Sequence, residues 1–420
     1  MRQLYTLLWY LLLPVLLLRL WALGGRSPAY RQRLRERLGY GYREPLPKSV
    51  WVHAVSVGET LAAAPMIEAL LQRYPSIPLL VTTTTPTGSE RVKALFGNRV
   101  QHVYWPWDVP AAMGRLFNAF NPQLVILLET ELWPNLIAEA AVRDVPVVLA
   151  NGRLSARSHR GYARFRSLMT PMLQQLAALA VQTPEEAERF IDLGAKADKV
   201  WVTGNVKFDV ELAADVVARA ATLRAGIGDR PVWIAASTHP GEDEVILAVH
   251  GRVLASHVDA LLILVPRHQE RFDQVAAQVR AKGFSLARRS LDETVTQKTS
   301  VYLGDSMGEL LMLYGAADVA FVGGSLVSVG GHNLLEPALW SKPIITGPVL
   351  HNFTLIADLL VAAGAQTVVT DAEQLAAEVA ALFAAPDQCR QRGRQAEEVV
   401  VQHRGALAKL LQMLEQVWPL

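Results

Sequence analysis

The segment His53-Ala54-Val55-Ser56-Val57-Gly58-Glu59 follows an apolar run with a glycine turn and delivers a carboxylate to the first turn of the next element. A glutamate there is kept ionised by the helix dipole and could take a proton from a sugar hydroxyl. Ser56 to Glu59 also fits a capping box, in which Glu59 only returns a hydrogen bond to the Ser56 backbone, so both roles are open. Glu129-Thr130-Glu131-Leu132-Trp133-Pro134-Asn135 sets two more carboxylates behind a second apolar run. Glu129 could orient a substrate group or stabilise developing charge, whereas Glu131 could simply complement a helix N-terminus. Lys207, in Gly204-Asn205-Val206-Lys207-Phe208-Asp209, is either a cation for a leaving phosphate or a solvated hinge lysine.

The second half of the chain carries groups suited to anions. Ser237-Thr238-His239-Pro240-Gly241-Glu242 and Val265-Pro266-Arg267-His268 are polar endings of apolar runs, and Arg267 could take a phosphate or carboxylate bidentately or join a surface ion pair. Phe321-Val322-Gly323-Gly324-Ser325 leads into Gly330-Gly331-His332-Asn333-Leu334-Leu335-Glu336-Pro337. Small residues there let backbone N–H groups approach a phosphate, the following helix N-terminus adds positive potential, and Glu336 could accept from ribose hydroxyls. Gly304-Asp305-Ser306-Met307-Gly308-Glu309 repeats the pattern for a base or ribose, with a capping box from Ser306 to Glu309 as the local alternative. A Walker lysine motif, a G-x-G-x-x-G fingerprint and a D-x-D pair are all absent, which counts against ATP hydrolysis, NAD chemistry and a metal-bridged diphosphate. Leaving-group charge would then fall to dipoles and basic side chains.

These residues must be held by a sheet. Short apolar runs at 49–54, 78–84, 100–105, 124–129, 145–150 and 178–182 alternate with helical patterns, which predicts parallel strands covered on both faces. A helix over 209–228 follows, and the alternation resumes at 232–236, 261–265, 301–303, 319–322, 343–346 and 367–369. The expected fold is α/β, with two Rossmann-like domains whose strand ends face a ligand cleft. Residues 388–418 read as one long amphipathic helix packing across both halves, with 386–402 polar enough to be solvated surface.

With 51% hydrophobic and 19% charged positions, 420 residues can bury two cores. The net charge of +2 hides an asymmetry: eight arginines against one glutamate in the first 43 residues make a local +7, leaving −5 for the rest. A basic groove for nucleic acid is thereby disfavoured, and an anionic partner at the N-terminus is expected. Leu4 to Leu18 is free of charge and, with Arg19 snorkelling, the apolar stretch reaches Leu23, enough to span or deeply enter a bilayer. Arg26, Arg31, Arg33, Arg35 and Arg37 behind it suit the cytoplasmic side of a membrane and its anionic headgroups. A cleaved signal peptide and a helix lying in the interface are the alternatives. Cys389 is the only cysteine and the ten histidines are scattered, so a reducing compartment and no zinc site are expected.

HAVSVGE, ETELWPN, VPRH, GDSMGEL and FVGGSLVSVGGHNLLEPA, in this order over nearly the whole chain, resemble the bacterial 3-deoxy-D-manno-octulosonic acid (Kdo) transferases. The resemblance implies a GT-B architecture, with a membrane anchor at 1–25, an acceptor domain at 26–205, a CMP-Kdo domain at 206–405 and a terminal helix at 406–420. It implies inverting, metal-independent transfer of Kdo from CMP-Kdo to a lipid A precursor, with no cofactor. By motif, Glu59 would be the general base, Glu129 and Lys207 would support the transition state, and Pro266, Arg267, Met307, Gly308, Glu309, Asn333, Leu334, Leu335 and Glu336 would line the CMP site. A UDP-sugar enzyme of similar architecture and a catalytically silent membrane scaffold are the competing readings, the latter opposed by functional side chains at every expected strand end.

Overall fold

The apolar runs form strands because each is buried on both sheet faces, where branched side chains pack and backbone groups find partners only in a ladder. The structure is a computed structural model that describes every residue except Arg26, Arg43, Glu44, Pro45, Pro47, Pro419 and Leu420. It contains two units, Met1–Asp209 with His403–Leu420, and Val210–Gln402. Residues 206–209, expected in the second domain, therefore cluster with the first.

In the first unit, β1 (Val50–His53), β2 (Leu79–Thr83), β3 (Gln101–Tyr104), β4 (Leu124–Leu128), β5 (Val147–Gly152), β6 (Ala178–Val181) and β7 (Val200–Val202) make a parallel sheet. Its order is β3-β2-β1-β4-β5-β6-β7, so β1 lies between β2 and β4 and the order reverses there. The second unit holds β8 (Val232–Thr238), β9 (Leu261–Pro266), β10 (Leu286–Arg288), β11 (Val301–Leu303), β12 (Val319–Val322), β13 (Ile344–Thr346) and β14 (Gln366–Val368), ordered β10-β11-β9-β8-β12-β13-β14. Here the reversal lies between β8 and β12. β7 and β10 escape a sequence reading because each is a three-residue edge strand with too little apolar length to register.

α1 (Arg2–Leu23) is long and apolar enough to cross a membrane. It is followed in the first unit by α2 (Val57–Arg73), α3 (Pro86–Phe96), α4 (Pro110–Phe120) and α5 (Pro134–Val142). α1 docks by one face. Tyr5 Oη donates to Asp108 Oδ2 at 2.9 Å, Thr6 Oγ1 donates to Asn135 Oδ1 at 2.9 Å, and Trp9 lies 6.2 Å from Trp133. Leu4, Leu7, Leu8, Leu11, Leu12, Val15 and Leu18 on the other side are exposed.

The basic segment behind α1 departs from expectation. Arg37 is buried, donates to the Thr84 carbonyl at 2.5 Å and stacks over Tyr104, and burial lowers its pKa to about 10. Arg33 pairs with Glu36 at 2.7 Å and donates to the His102 carbonyl at 2.8 Å. Arg31 and Arg35 remain exposed, and Arg26 lies outside the described residues. Of the four described arginines two are thus bound at the sheet edge, because it offers carbonyls and aromatic faces that a guanidinium satisfies.

The terminal segment is two helices, Pro386–Gln402 and Ala406–Val417, broken at Gly405 with φ +96°. Asp209 caps the second, accepting from the Gly405 and Leu407 amides at 2.5 Å each. That helix puts Leu410, Met413 and Leu414 into the core of the first unit beside Met66 and Ile67. The helix Pro386–Gln402 is polar by composition yet buries Gly393, Ala396, Val399 and Val400 in the second unit. The helix expected over 209–228 begins only at Ala214.

Candidate active site

Glu59 stands in the first turn of α2, directly above the carboxyl end of β1. Its Oε2 accepts from the Val55 amide at 2.8 Å, its Oε1 from Ser56 Oγ at 3.4 Å, and Ser56 Oγ in turn accepts from the Glu59 amide. The capping interaction is therefore real, with Val55 and not Ser56 as its backbone donor. It does not preclude chemistry, because the carboxylate has unusual electrostatics. Burial pushes its pKa up to about 7 against the hydrogen bond from Val55, and the charges of Glu131 and Glu129 push the same way.

Those two acids follow β4, the strand paired with β1 at the reversal of the sheet. Glu129 has φ +54°, a left-handed conformation that costs a non-glycine residue roughly 1–2 kcal/mol. The compensating contact is an ion pair: Lys207 Nζ donates to Glu129 Oε1 at 2.9 Å. Lys207 is thereby neither a free hinge lysine nor a free cation. Glu131 accepts from Trp133 Nε1 at 2.9 Å, and burial raises its pKa to about 7. Its Oε2 is 4.0 Å from His53 Nε2, a buried nitrogen with no hydrogen bond among the described residues. His53 stacks on Trp105 at 3.7 Å, and burial lowers its pKa to about 3, so the ring is neutral. Three carboxylates, one lysine and a neutral imidazole thus converge where open parallel sheets place their ligands.

In the second unit the reversal between β8 and β12 is held by Glu242, not by a phosphate. This buried carboxylate accepts from the amides of His239 (2.9 Å), Gly324 (2.7 Å), Ser325 (3.1 Å) and Leu326 (3.0 Å). The first part of the glycine-rich loop, expected to cradle a ligand anion, therefore cradles the chain's own. Glycine is needed at 323 because a Cβ there would come 2.7 Å from the Ser237 carbonyl oxygen. The helix after the loop, Leu335–Leu339, is a single turn, too short to supply the expected dipole. Asn333 Oδ1 accepts from the Leu335 amide and its Nδ2 donates to Glu336 Oε1, both at 3.1 Å. Glu336 is half-buried, and burial raises its pKa.

Arg267 follows β9, is exposed, and has no ion pair among the described residues. Pro266 ends that strand and is buried. Met307 is 59% exposed, and Gly308 turns the chain with φ +82°. Glu309 is not the third residue of a capped helix; it precedes Leu310–Ala316 and is gripped by Arg289 at 2.9 Å, by Arg219 and by Ser306 Oγ at 2.5 Å. The Arg289 hydrogen bonds hold its pKa down to about 2. Leu334 and Leu335 are buried under the loop.

Spacing alone misses the histidines. His239 and His332, 93 residues apart, meet with their Nε2 atoms at 2.8 Å and their rings parallel, 5.0 Å between centroids, while His268 stands edge-on to His239 at 5.2 Å. Among the described residues no group of three or more His, Cys, Asp or Glu is placed to hold a metal ion.

Known proteins resemble this chain in sequence and in fold. A family profile described as 3-deoxy-D-manno-octulosonic-acid transferase matches residues 32–210. A 3-deoxy-D-manno-octulosonic acid transferase of Haemophilus influenzae is 44% identical over 99% of this chain and 98% of its own, and one of Bordetella pertussis is 37% identical over 99% of both. A crystal structure of UDP-GlcNAc 2-epimerase from Neisseria meningitidis covers 88% of this chain and 100% of its own with a TM-score of 0.56 at 14% identity, a likeness of fold alone. The two parallel α/β units and the full-length identity together place the chain in the Kdo transferase family of GT-B glycosyltransferases.

Proposed function

We propose that this Kdo transferase works by a single inverting, metal-independent displacement, moving Kdo from CMP-Kdo to a lipid A precursor with Glu59 as general base. The acceptor O–H gives its proton to the Glu59 carboxylate as its oxygen bonds to the anomeric carbon; the bond from that carbon to the CMP phosphate breaks, and its electron pair leaves on the phosphate. The observation that carries this is a carboxylate at the reversal of the first sheet whose pKa is pushed to about 7, close to the optimum for a base at neutral pH. Glu129 offers negative charge to the cationic sugar carbon, with its position fixed by Lys207. In the second unit Pro266, Arg267, Met307, Gly308, Asn333, Leu334, Leu335 and Glu336 line the CMP site, with Arg267 as the free cation for phosphate. Glu309, already held by two arginines, shapes the Gly308 turn and receives the ligand through it.

The membrane enters through α1, on the cytoplasmic face of the inner membrane. The Tyr5 to Asp108 hydrogen bond belongs outside hydrocarbon, since a buried carboxyl there is costly. Residues 10–23 then remain for lipid, roughly 21 Å of helix at 1.5 Å per residue, against a hydrocarbon core of about 30 Å. A helix lying in one leaflet on its exposed leucines fits this better than a spanning one.

Glu59→Gln, assayed as purified protein with CMP-Kdo and lipid acceptor, should lose at least about 100-fold in kcat while its CMP affinity is unchanged. The parent kcat/KM should fall tenfold per pH unit below about pH 7, since the base works only ionised. Near-parental turnover in the variant would move the base elsewhere.

A further inference from the structure

The histidine cluster of the second unit has more cationic capacity than its surroundings neutralise. His239 follows β8, Arg267 and His268 follow β9, and His332 comes from the loop after β12. Each charged neighbour is already committed or of like sign. Glu242, on the helix after β8, is occupied by four backbone amides. Glu336 accepts from Asn333. Arg271, behind the cluster, is paired with the buried Asp243. Arg267 makes no ion pair among the described residues, although its charge reaches Glu336.

Two neutral imidazoles share two ring protons, and a bond between their Nε2 atoms uses one. One Nδ1 then carries the other proton and the opposite Nδ1 is bare. Neither Nδ1 has a hydrogen bond among the described residues. The head-on bond turns the two Nδ1 atoms away from each other, so a phosphate meets one edge of the pair only, and a proton added to the bare nitrogen makes the whole pair cationic whichever edge the phosphate meets.

We infer that the His239–His332 pair is a proton-taking oxyanion site, which binds the phosphate of a nucleoside monophosphate beside Arg267 and takes up one proton from solution as the dianion arrives. The inference rests on the reading that this unit binds CMP. During turnover the phosphate passes from a singly charged diester to a dianion when its bond to the sugar breaks, and the pair, drawing its proton from solvent, offsets the added charge. The empty pair is kept neutral by burial first and by like charge second: His268, Arg271 and Arg267 act on His239 against Glu242, and His239, Arg267 and His268 hold His332 at about 4. A bound dianion reverses the sign of that field.

The test is calorimetric titration of the full-length protein in detergent with CMP at pH 7, where a phosphate monoester of second pKa about 6 is mostly dianionic. Comparing two buffers of different ionisation enthalpy reads the protons exchanged. The expected result is uptake of about half to one proton per CMP, with affinity weakening toward tenfold per pH unit between about pH 7 and 9, as one-proton linkage requires. His332→Gln and His239→Gln should bind CMP more weakly, with no uptake and no pH slope. Binding without proton exchange in the parent protein, or uptake undiminished in both variants, overturns the inference and leaves the donor reading standing. No binding of CMP at all removes the donor reading and this inference with it.

Discussion

Three carboxylates at one strand-end cluster cannot all ionise at ordinary cost, and the arrangement around Glu131 shows where the cost falls. Its pKa is raised mainly by burial and further by Glu129, so above about pH 7 the folded state holds a buried charge that the unfolded chain hydrates freely. Between the unfolded value near 4.5 and the folded value near 7 the native state binds the extra proton, so stability falls as pH rises through that window. Glu131→Gln keeps an acceptor for Trp133 and should stabilise the first unit by about 1–3 kcal/mol at pH 8 and by little at pH 5, read from denaturant midpoints. An equal gain at both pH values would mean that packing, not charge, is relieved. At this scale the candidates were legible from where they stand: Glu59, Glu129, Lys207 and Arg267 come just after apolar runs, and Glu336 just after the glycine-rich loop. The committed state of Glu309 was not, since Arg219 and Arg289 reach it from distant segments.

Elements explain why a glycine-rich loop can mislead. Glycines at 323 and 324 permit close approach of an anion, and the sequence does not say whose. Glu242, four residues past β8, reaches the loop after β12 because those strands are neighbours at the reversal of the sheet. Glu242→Gln presents an amide donor to N–H groups that need acceptors, and should cost about 3–5 kcal/mol in the second unit while weakening CMP binding. Unchanged melting of this unit would show that the loop holds itself. Strand positions were readable where runs are long and buried on both faces, as in β4 and β9. The break at Gly405 was not, because apolar periodicity continues on either side of it.

At the scale of the whole molecule the chain finishes the first unit with its last residues. A truncation after Gln402 removes Leu410, Met413 and Leu414 from that core and exposes Asp209, each buried side chain being worth about 2–5 kcal/mol. Hydrogen exchange should then show lost protection in β1, β5 and β6 and native protection in β8 and β9. Removal of residues 1–23 should abolish flotation with anionic vesicles, whereas Arg31→Ala with Arg35→Ala should weaken it only in part and more at low salt. Flotation that survives the deletion would assign membrane binding to another surface.

The sequence by itself determined the two α/β units, the apolar N-terminal helix and the family, because period, run length and ordered motifs are local properties that neighbouring residues share. Tertiary structure alone decided which acids raise one another's pKa, which arginines are bound into the sheet edge, and that His239 meets His332. Those outcomes depend on which strands become neighbours, and electrostatic energy falls off with distance in space, a quantity that distance along the chain does not encode.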